Sequence, residues 1–383
     1  MRTWLCVLVA LSVVWCASCG QESSGPTTGG GGGTLKAADP KAAILKSVDN
    51  AVAFLRSKAN KDGGWGEKGS DVGITGLVLE GLARAPSGVR DKNNDLIEKG
   101  VAYLLTQKRA DGSIVNDDGQ VANYRTSIAV RALIAIDKEK YKHVIDAAVK
   151  YTKGIQDKTG AIGYGTTKVG DIINTSEALE MMRQAGLSEK DEVFQRAMEF
   201  VLQTQNLDEY APPGVRTAND GGAIYRANRG IDDASKAGTI KLPDGTEVPR
   251  SYGGATYNLL KDMLFAGMAK DSPRVQAAYK WIADHYTVKQ HPEMPENQKY
   301  QGLYYLYYTM ARTLELWGSP TIQAGGTDRN WAQELSAQII SLQKDDGSWV
   351  NPTDRWWEGD PTLVTAYTIS SLGICHRMLE GVH

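Results

Sequence analysis

The sequence predicts an all-α fold, a single (α/α)6 toroid of six helix pairs preceded by a signal peptide and a flexible Gly-rich linker. Three observations predict it. An aromatic residue recurs with a period of about fifty residues, which indicates repeated structural units. Each copy ends in a Gly-containing turn, and a second helix rich in small residues follows that turn. No segment has the alternating pattern of a convincing strand.

Residues 1–19 are predicted to be a signal peptide or lipoprotein leader. Residues 3–17 form an apolar run that is too short to span a bilayer comfortably. The sequence CASC at its end resembles a bacterial lipobox with Cys19 as the lipidation candidate, although Cys16 stands where Leu is usual. We therefore expect export to the periplasm or cell surface, with the leader either cleaved or lipid-anchored. Membrane contact is expected only through this N-terminal lipid or signal segment.

Residues 20–40 are predicted to be a flexible linker, because a Gly/Ser/Thr-rich tract cannot bury enough apolar surface to order itself. Residues 41–383 then form the toroid domain. The formal net charge of −2 gives no basic excess, which argues against a nucleic-acid partner. Cys375 alone lies beyond the leader, so no disulfide framework or cysteine-based zinc site is predicted. We expect a monomer without cofactor or metal ion.

The repeating unit is an aromatic residue near the end of a helix, followed eight residues later by a turn residue. Gly in that turn adopts a left-handed backbone, and Asp accepts backbone hydrogen bonds within it. In the first and last copies Trp follows, so the phrases at residues 62–65 and 345–349 are interpreted as structural corners. The four pairs with regular spacing are Phe54 and Asp62, Tyr103 and Asp111, Tyr151 and Thr159, and Phe200 and Asp208.

The second helix of each pair is predicted to lie in an inner ring, where small residues such as Gly76 and Ser127 let crowded backbones approach closely. An open solenoid would need polar end repeats, but here the end copies carry the best-formed turns, which favours closure. The six predicted inner helices span residues 71–85, 123–136, 171–186, 251–267, 302–318 and 360–378.

The turns belong to a longer pattern of aromatic residue, Gln and Gly-x-Trp. The matching sets are Tyr103, Gln107 and Gly112; Tyr151, Gln156 and Gly160; and Gln343, Gly347 and Trp349. This pattern resembles the QW repeats of squalene–hopene and related triterpene cyclases. It is also similar to the wider superfamily that includes protein prenyltransferase β-subunits. The resemblance covers residues 44–378 and implies an α/α-toroid, whereas a toroid can host many functions.

Three departures leave the activity open. Terpene cyclases that protonate an alkene use an acid motif D-x-D-D, but Gly230 and Val115 replace the first Asp in the two nearest matches. The triterpene cyclases have two toroid-type domains, whereas this chain holds one. Prenyltransferases bind zinc, but neighbouring Cys375 and His376 point different ways on a helix. A cyclase-like isomerase or transferase is therefore implied only by resemblance, and whether the chain is an enzyme stays open.

Two loops before inner helices carry the candidate site. Residues 210–254 form a long polar insertion, and residues 351–362 precede the last inner helix. In a closed ring such loops share one cavity mouth, where binding residues concentrate. We expect a small-molecule ligand, either an isoprenoid or a carbohydrate. The candidate cavity-binding residues are Asp220, Arg250, Tyr252, Tyr304, Tyr308, Arg355, Trp356 and Asp360.

Three functions fit these residues. The first is an exported toroid that binds an apolar or amphipathic ligand in its central cavity without chemistry. The second is an enzyme, either a terpene-cyclase-like isomerase or a polysaccharide lyase or hydrolase, which uses acids and tyrosines at the cavity mouth. The third is a surface interaction platform, for which a filled and narrow channel is expected. The size and lining of the cavity would separate them.

Overall fold

The computed structural model describes residues 39–165, 169–227 and 230–381. The predicted leader, Cys19 and the linker up to residue 38 lie outside these ranges and remain predictions. The helices, in chain order, are α1 (Pro40–Lys58), α2 (Val72–Arg84), α3 (Ser87–Lys92), α4 (Asn94–Thr106), α5 (Ala122–Asp137), α6 (Lys142–Gly154), α7 (Ile172–Ala185), α8 (Glu192–Gln203), α9 (Ile231–Ala234), α10 (Gly253–Phe265), α11 (Pro273–Asp284), α12 (Leu303–Trp317), α13 (Trp331–Ser341) and α14 (Pro361–Glu380).

Six helix pairs close into a ring, which confirms the predicted toroid. The inner helices α2, α5, α7, α10, α12 and α14 each pack against the next, and α14 packs against α2. Helix α1 packs against α13 and α14, so the two chain ends meet at one seam. At this seam the Gln343 side-chain nitrogen donates to the Ser47 carbonyl oxygen at 2.9 Å, and the Ser47 hydroxyl donates to Gln343 Oε1.

Two short antiparallel hairpins differ from the prediction of no strands. Strands β1 (Thr239–Lys241) and β2 (Glu247–Pro249) lie within the long insertion, and β3 (Thr321–Ala324) and β4 (Thr327–Asn330) follow α12. The turn of the second hairpin is Gly325–Gly326, and both residues have positive φ, as the tightest hairpin turns require. Such three- and four-residue strands are too short to give a clear alternating pattern in the sequence.

The first corner turn, residues 60–65, shows how an outer helix is joined to its inner partner. The Asp62 carboxylate accepts a hydrogen bond from Gly64 N, and the buried Trp65 indole donates to the Leu55 carbonyl at 2.7 Å. Thr75 on α2 accepts from Trp65 N at 2.9 Å, which ties the turn to the inner helix. Gly63 has φ +90°, and a Cβ there would lie 2.6 Å from the Lys99 carbonyl oxygen of α4. Only Gly fits.

The same contact recurs at five of the six corners, since residues 285–301 between α11 and α12 contain no glycine. Each corner glycine has positive φ and lies against a backbone carbonyl of the next outer helix. At the last corner a Cβ on Gly347 would overlap the carbonyl oxygen of Asn50 on α1, so this turn packs onto the first helix and closes the ring. The intermediate pairs are Gly112 with Ala147, Gly160 with Arg196, and Gly221 with Ala277.

The predicted position of the fourth corner was wrong. The turn there is formed by Asp220 and Gly221, not by Asp208, because residues 207–219 are inserted between α8 and its turn. Asn206 N donates to the Gly222 carbonyl at 2.7 Å, as the corresponding residues do at the other corners. Asp208 instead accepts from the backbone and hydroxyl of Thr217 inside the insertion.

The Gln residues of the repeat join corners to the next outer helix. Gln156 donates to the carbonyls of Gly160 and Val193, and Gln343 donates to those of Gly347 and Ser47. Gln107 makes a different bond, to the Thr106 hydroxyl. Within the described residues, no helix combines the length and apolar character that crossing a bilayer requires.

Ring closure at Gly347 can be tested against a glycine with similar backbone but free space. Gly245 has φ +88°, and a Cβ added there would have no other atom within 4 Å. Gly347 has φ +86°, but a Cβ added there would overlap the backbone of Asn50. We expect Gly245→Ala to lower the free energy of unfolding by about 1–2 kcal/mol, the cost of the left-handed backbone. Gly347→Ala should lose about 1–3 kcal/mol more from overpacking. Urea unfolding measures both, and equal losses would contradict close packing at the seam.

Candidate functional site

A cavity of about 880 Å³ opens at the end of the ring where the inner helices begin. All six inner helices and the loops before them contribute to its lining, as the sequence predicts for a closed ring. The helical residues that line it are Gly73 and Ile74 of α2, Tyr124 and Arg125 of α5, Ile173 and Asn174 of α7, Gly254 of α10, Tyr305 of α12, and Leu363 and Tyr367 of α14.

Three tyrosines, Tyr124, Tyr305 and Tyr367, converge deep in the cavity. The hydroxyls of Tyr124 and Tyr367 share a hydrogen bond, and the Tyr305 hydroxyl donates to Glu177 Oε1 at 3.3 Å. Burial raises the pKa of all three phenols well above the usual value, so they are neutral hydroxyl groups at physiological pH. We call this set the tyrosine floor.

Below the tyrosine floor, a buried ionic cluster fills the centre of the ring. The guanidinium of Arg131 donates to Glu177 and Glu80, while Arg312 donates to Glu80 and forms an ion pair with Glu180. Lys261 donates to Glu180 at 2.9 Å. These side chains are almost fully excluded from solvent. Each charge in the cluster is paired with an opposite charge, which makes its burial possible. The paired side chains fill the centre of the ring and close it.

The protonation of the cluster follows from burial and pairing. Burial alone would raise the pKa of Glu80, but the attraction of Arg131 and Arg312 outweighs it and lowers that pKa well below the usual value. Burial raises the pKa of neighbouring Asp262 to about 7, partly opposed by Lys261. Glu80 is therefore a stable anion, whereas Asp262 titrates near neutrality.

One wall of the cavity is a charged pair of loops at the start of α2 and α5. Arg125 donates to Asp71 and to Asp118, each at 2.5 Å. Asp71 also accepts from Ile74 N and so caps α2. These bonds link the carboxylates of Asp71 and Asp118 through the guanidinium of Arg125, which makes this wall rigid.

A second wall comes from the long insertion. The Lys236 ammonium lies 4.0 Å from the centre of the Tyr225 ring, and burial lowers the pKa of Lys236. Tyr225 also hydrogen-bonds to Asp171, the buried cap of α7, whose pKa is raised by burial. An aromatic ring and a cation are thus held side by side at the cavity edge.

The third wall is residues 351–360, which we call the mouth loop. Its Glu358 is fully buried and accepts from Tyr305 N at 2.7 Å and from the side chain of Asn351 at 2.6 Å. Helix α12 is preceded by Gly302, which has no side chain, so Glu358 caps that helix from the next repeat. Burial raises the pKa of Glu358 to about 7 despite these donors.

His291 is another buried lining residue, and its ring is fully bonded. Gly254 N donates to Nε2 at 2.8 Å, so Nδ1 carries the proton and donates to the Gln301 carbonyl. Burial lowers the pKa of His291 to about 4, which keeps the imidazole neutral. Within the described ranges, no group of three or more His, Cys, Asp or Glu side chains could hold a metal ion.

Three of the eight candidate residues line the cavity: Tyr252, Trp356 and Asp360. Tyr252 precedes α10 and is buried, and burial raises its pKa well above the usual value. Asp360 accepts from Thr362 N at 2.7 Å and caps α14. Trp356 packs on Gly302, where a Cβ would lie 2.9 Å from its ring.

The other five candidates are not among the lining residues. Asp220 belongs to the fourth corner, where it accepts from Gly222 N, Ser251 and Trp281. Arg250 pairs with Glu293 at 3.4 Å, and Arg355 is exposed beside Trp356. Tyr304 packs edge-on against Tyr307.

Tyr308, the remaining candidate, lies in the ionic cluster and not in the cavity. Its hydroxyl accepts from Arg131 at 2.5 Å and donates to Glu80 at 3.1 Å. The cavity position on α12 belongs to Tyr305, which was not among the eight candidates. The inner helix is buried on several sides, so its apolar and aromatic pattern does not identify the side that faces the cavity.

A recurring threonine shows which side of an inner helix faces the cavity, a signal that the sequence-based prediction did not use. Thr75, Thr126, Thr175, Thr256 and Thr365 each accept a hydrogen bond from the backbone of their own corner turn. The residue two positions before each of these threonines lines the cavity. Counting back from Thr126 therefore identifies Tyr124, which the aromatic repeat alone did not.

The fold is shared with enzymes of two kinds. No known family model matches the chain, and no curated protein is similar in sequence. A variant of the type II terpene cyclase MstE from Scytonema, bound to its product merosterolic acid A, is 15% identical with a TM-score of 0.56, over 88% of this chain and 99% of that one. The family 76 α-mannanase of Bacteroides thetaiotaomicron is 12% identical with a TM-score of 0.53, over 89% and 100%.

A protein from Actinoplanes is 14% identical with a TM-score of 0.52, over 87% of this chain and 99% of that one. The chain has the α/α-toroid fold of these proteins. At such low identity the likeness concerns fold alone, so the function must be argued from the lining residues.

The ionic cluster yields a stability prediction. Arg131→Met leaves Glu80 and Glu177 without their main partner in a buried place, and should lower the free energy of unfolding by about 3–5 kcal/mol. The control is Arg56→Met, which breaks an exposed pair with Asp95 and should cost less than about 1 kcal/mol. Chemical unfolding measures both. Similar small losses in the two variants would contradict the role of the cluster.

Glu358 yields a pH prediction. Its pKa is raised from 4.5 to about 7 on folding, so the folded state binds this proton more tightly than the unfolded chain does. The resulting stabilisation is complete below pH 4.5 and is lost as the pH rises through about 7. Relative to Glu358→Gln, the wild type should lose about 3 kcal/mol of stability across this window.

Unfolding curves collected from pH 4.5 to 8 provide the measurement, and Glu67→Gln, at an exposed carboxyl of the cavity rim, is the matched control. A wild-type curve parallel to that of Glu358→Gln over the whole range would show that Glu358 titrates normally in the folded protein.

Proposed function

We propose that this protein is an exported binding protein whose cavity takes a small polyhydroxylated ligand of the carbohydrate class. The observation that carries the proposal is the tyrosine floor, in which Tyr124, Tyr305 and Tyr367 place hydroxyl groups at the deepest part of the cavity. A sugar offers donors and acceptors to these hydroxyls and an apolar ring face to the aromatic walls.

An isoprenoid ligand fits this cavity less well. A hydrocarbon chain needs a deep apolar chamber, but the ionic cluster occupies the centre of the ring beneath the floor. Covering the tyrosine hydroxyls with hydrocarbon would also remove water from polar groups without replacing its hydrogen bonds, which is unfavourable. Fold neighbours include both a terpene cyclase and glycoside hydrolases, so the hydroxyls of the tyrosine floor and the charged groups at the ring centre are what favour the carbohydrate class.

Binding without chemistry is supported by the carboxylates at the mouth. Asp71 and Asp360 cap helices, and Asp118 pairs with Arg125. Glu358 accepts hydrogen bonds at both oxygens. A general acid or base needs a free oxygen within reach of the substrate, and in each of these groups at least one oxygen is already held by the protein.

Glycoside hydrolysis is the second candidate, and the raised pKa of Glu358 favours it. A carboxyl that is still protonated near pH 7 has the property required of a general acid. Hydrolysis also needs a second carboxylate across the scissile bond, for which Asp354 and Asp360 of the same mouth loop are the nearest along the chain.

Export rests on the predicted leader. Residues 1–19 and the tract that follows support a protein carried out of the cytoplasm, with Cys19 as its lipidation candidate. The open cavity supports ligand binding in preference to a platform, for which a filled channel is expected.

Calorimetric titration tests the proposal. The wild type is titrated with short neutral oligosaccharides and, separately, with an isoprenoid alcohol. We expect an oligosaccharide to bind and Tyr124→Phe or Tyr305→Phe to weaken it about tenfold, since each removes one hydrogen-bonding hydroxyl. Tyr257→Phe is the control, because that buried hydroxyl has no hydrogen-bond partner and lies outside the cavity lining.

Binding of the isoprenoid alcohol alone would overturn the carbohydrate class. Equal weakening by Tyr257→Phe would show that the floor hydroxyls have no direct role. Reducing ends are assayed in the same mixtures, and their release, abolished by Glu358→Gln, would replace binding by hydrolysis as the function.

A further inference from the structure

Trp357 is unusual among the tryptophans of the described residues. Trp65, Trp281, Trp331 and Trp349 are fully buried, whereas Trp357 is 67% exposed and lines the cavity. Exposing a large aromatic ring to water forgoes the stabilisation that its burial would bring. Its position at a cavity mouth indicates that the ring is kept free for a ligand.

The backbone of this residue is strained. Trp356 has φ +57° and Trp357 has φ +62°, so two consecutive bulky residues occupy the left-handed region. This conformation is unfavourable for a residue with a large side chain, and it persists only where surrounding contacts impose it. Strain of this kind is concentrated at binding and catalytic sites.

Contacts on both sides of the dipeptide impose this conformation. The Trp356 ring lies against Gly302, which has φ +65° and no room for a Cβ, and the Arg355 guanidinium lies 5.2 Å from the centre of that ring. Trp356 is thereby seated on the start of α12.

The following residues are anchored as well. Glu358 caps α12 through the backbone of Tyr305, and Asn351 N donates to the Glu358 carbonyl at 2.9 Å. Asp354 accepts from Gly359 N at 2.9 Å, which closes the mouth loop on itself. Trp357 is therefore presented by a loop fixed at both ends, and little conformational entropy is lost when a ligand stacks on it.

We propose that Trp357 is a preorganised stacking platform for a sugar ring at the cavity mouth, and that the acidic lining selects neutral or amino sugars over acidic ones. This inference rests on the proposed carbohydrate-binding function and identifies the residue and the charge class of that ligand. The exposed ring face supplies apolar contact, and the groups deeper in the cavity supply hydrogen bonds.

The charge of the lining determines the second part of the proposal. Among the described lining residues, six carboxyl groups stand against three basic side chains, and the acidic excess remains when Glu358, whose pKa is about 7, is counted as protonated. Three of the six, Asp354, Glu358 and Asp360, belong to the mouth loop that carries Trp357. A negative field in a concave site repels uronic acids and attracts protonated amino groups. The six acids are Glu67, Asp71, Asp118, Asp354, Glu358 and Asp360, and the bases are Lys68, Arg125 and Lys236.

Titration of the full folded protein with three matched trisaccharides tests both parts: a glucose trimer, a glucosamine trimer and a galacturonic acid trimer. We expect Trp357→Ala to weaken binding of the glucose trimer at least tenfold, and Trp357→Tyr to retain most of the affinity. Tyr300→Ala is the control, since Tyr300 is 43% exposed beside the same loop but lies outside the lining, and it should bind as the wild type does.

The glucosamine trimer should bind more tightly than the glucose trimer, and the acidic trimer should bind most weakly. Salt should reduce this difference, because it screens the field of the carboxylates. Gly302→Ala displaces Trp356 and should weaken binding although Trp357 itself is unchanged; circular dichroism verifies that this variant is folded.

The outcomes separate the two proposals. If the wild type binds a trimer and Trp357→Ala binds it equally well, the platform is overturned and the proposed function stands. Tightest binding of the acidic trimer would overturn the charge selection. If the wild type binds no carbohydrate, both the function and this inference are overturned.

Discussion

The structure depends on one repeated contact, in which a corner glycine lies directly against a backbone carbonyl of the next outer helix. At five of the six corners this contact fixes the distance between consecutive helix pairs, because no side chain separates them. When Gly347 meets Asn50 the sixth pair has reached the first, and the ring is complete. Six inner helices then begin at one end, so residues far apart in sequence share one cavity.

The ionic cluster divides the interior of this ring into two parts. Charged residues such as Arg131 and Glu80 close its centre, and the tyrosine floor separates them from the open cavity. A ring with an apolar centre would suit hydrocarbon ligands, whereas the centre of this one holds buried charges. The placement of charge, more than the fold, is therefore what points to a hydroxylated ligand.

Sequence periodicity predicts the helices and the closed ring but not the site in detail. The even spacing of the aromatic residues predicted the fourth turn at Asp208. The insertion that moves this turn to Asp220 follows the aromatic residue Phe200, so it does not change the spacing of the first four aromatic residues. The candidates Tyr304 and Tyr308 lie beside the cavity residue Tyr305 on a helix buried on several sides, where hydrophobicity carries no directional information. On α5 the corner threonine Thr126 supplies that direction and identifies Tyr124, because its hydrogen bond fixes the rotation of the helix, but α12 has no such threonine.

The antiparallel arrangement of each helix pair also determines where the chain enters. Inner helices begin at the cavity mouth, so outer helices begin at the opposite end, and Pro40 lies there together with the end of α14 at Glu380. Both ends of this run of helices therefore lie on the side of the ring away from the cavity mouth, so neither obstructs the path by which a ligand enters.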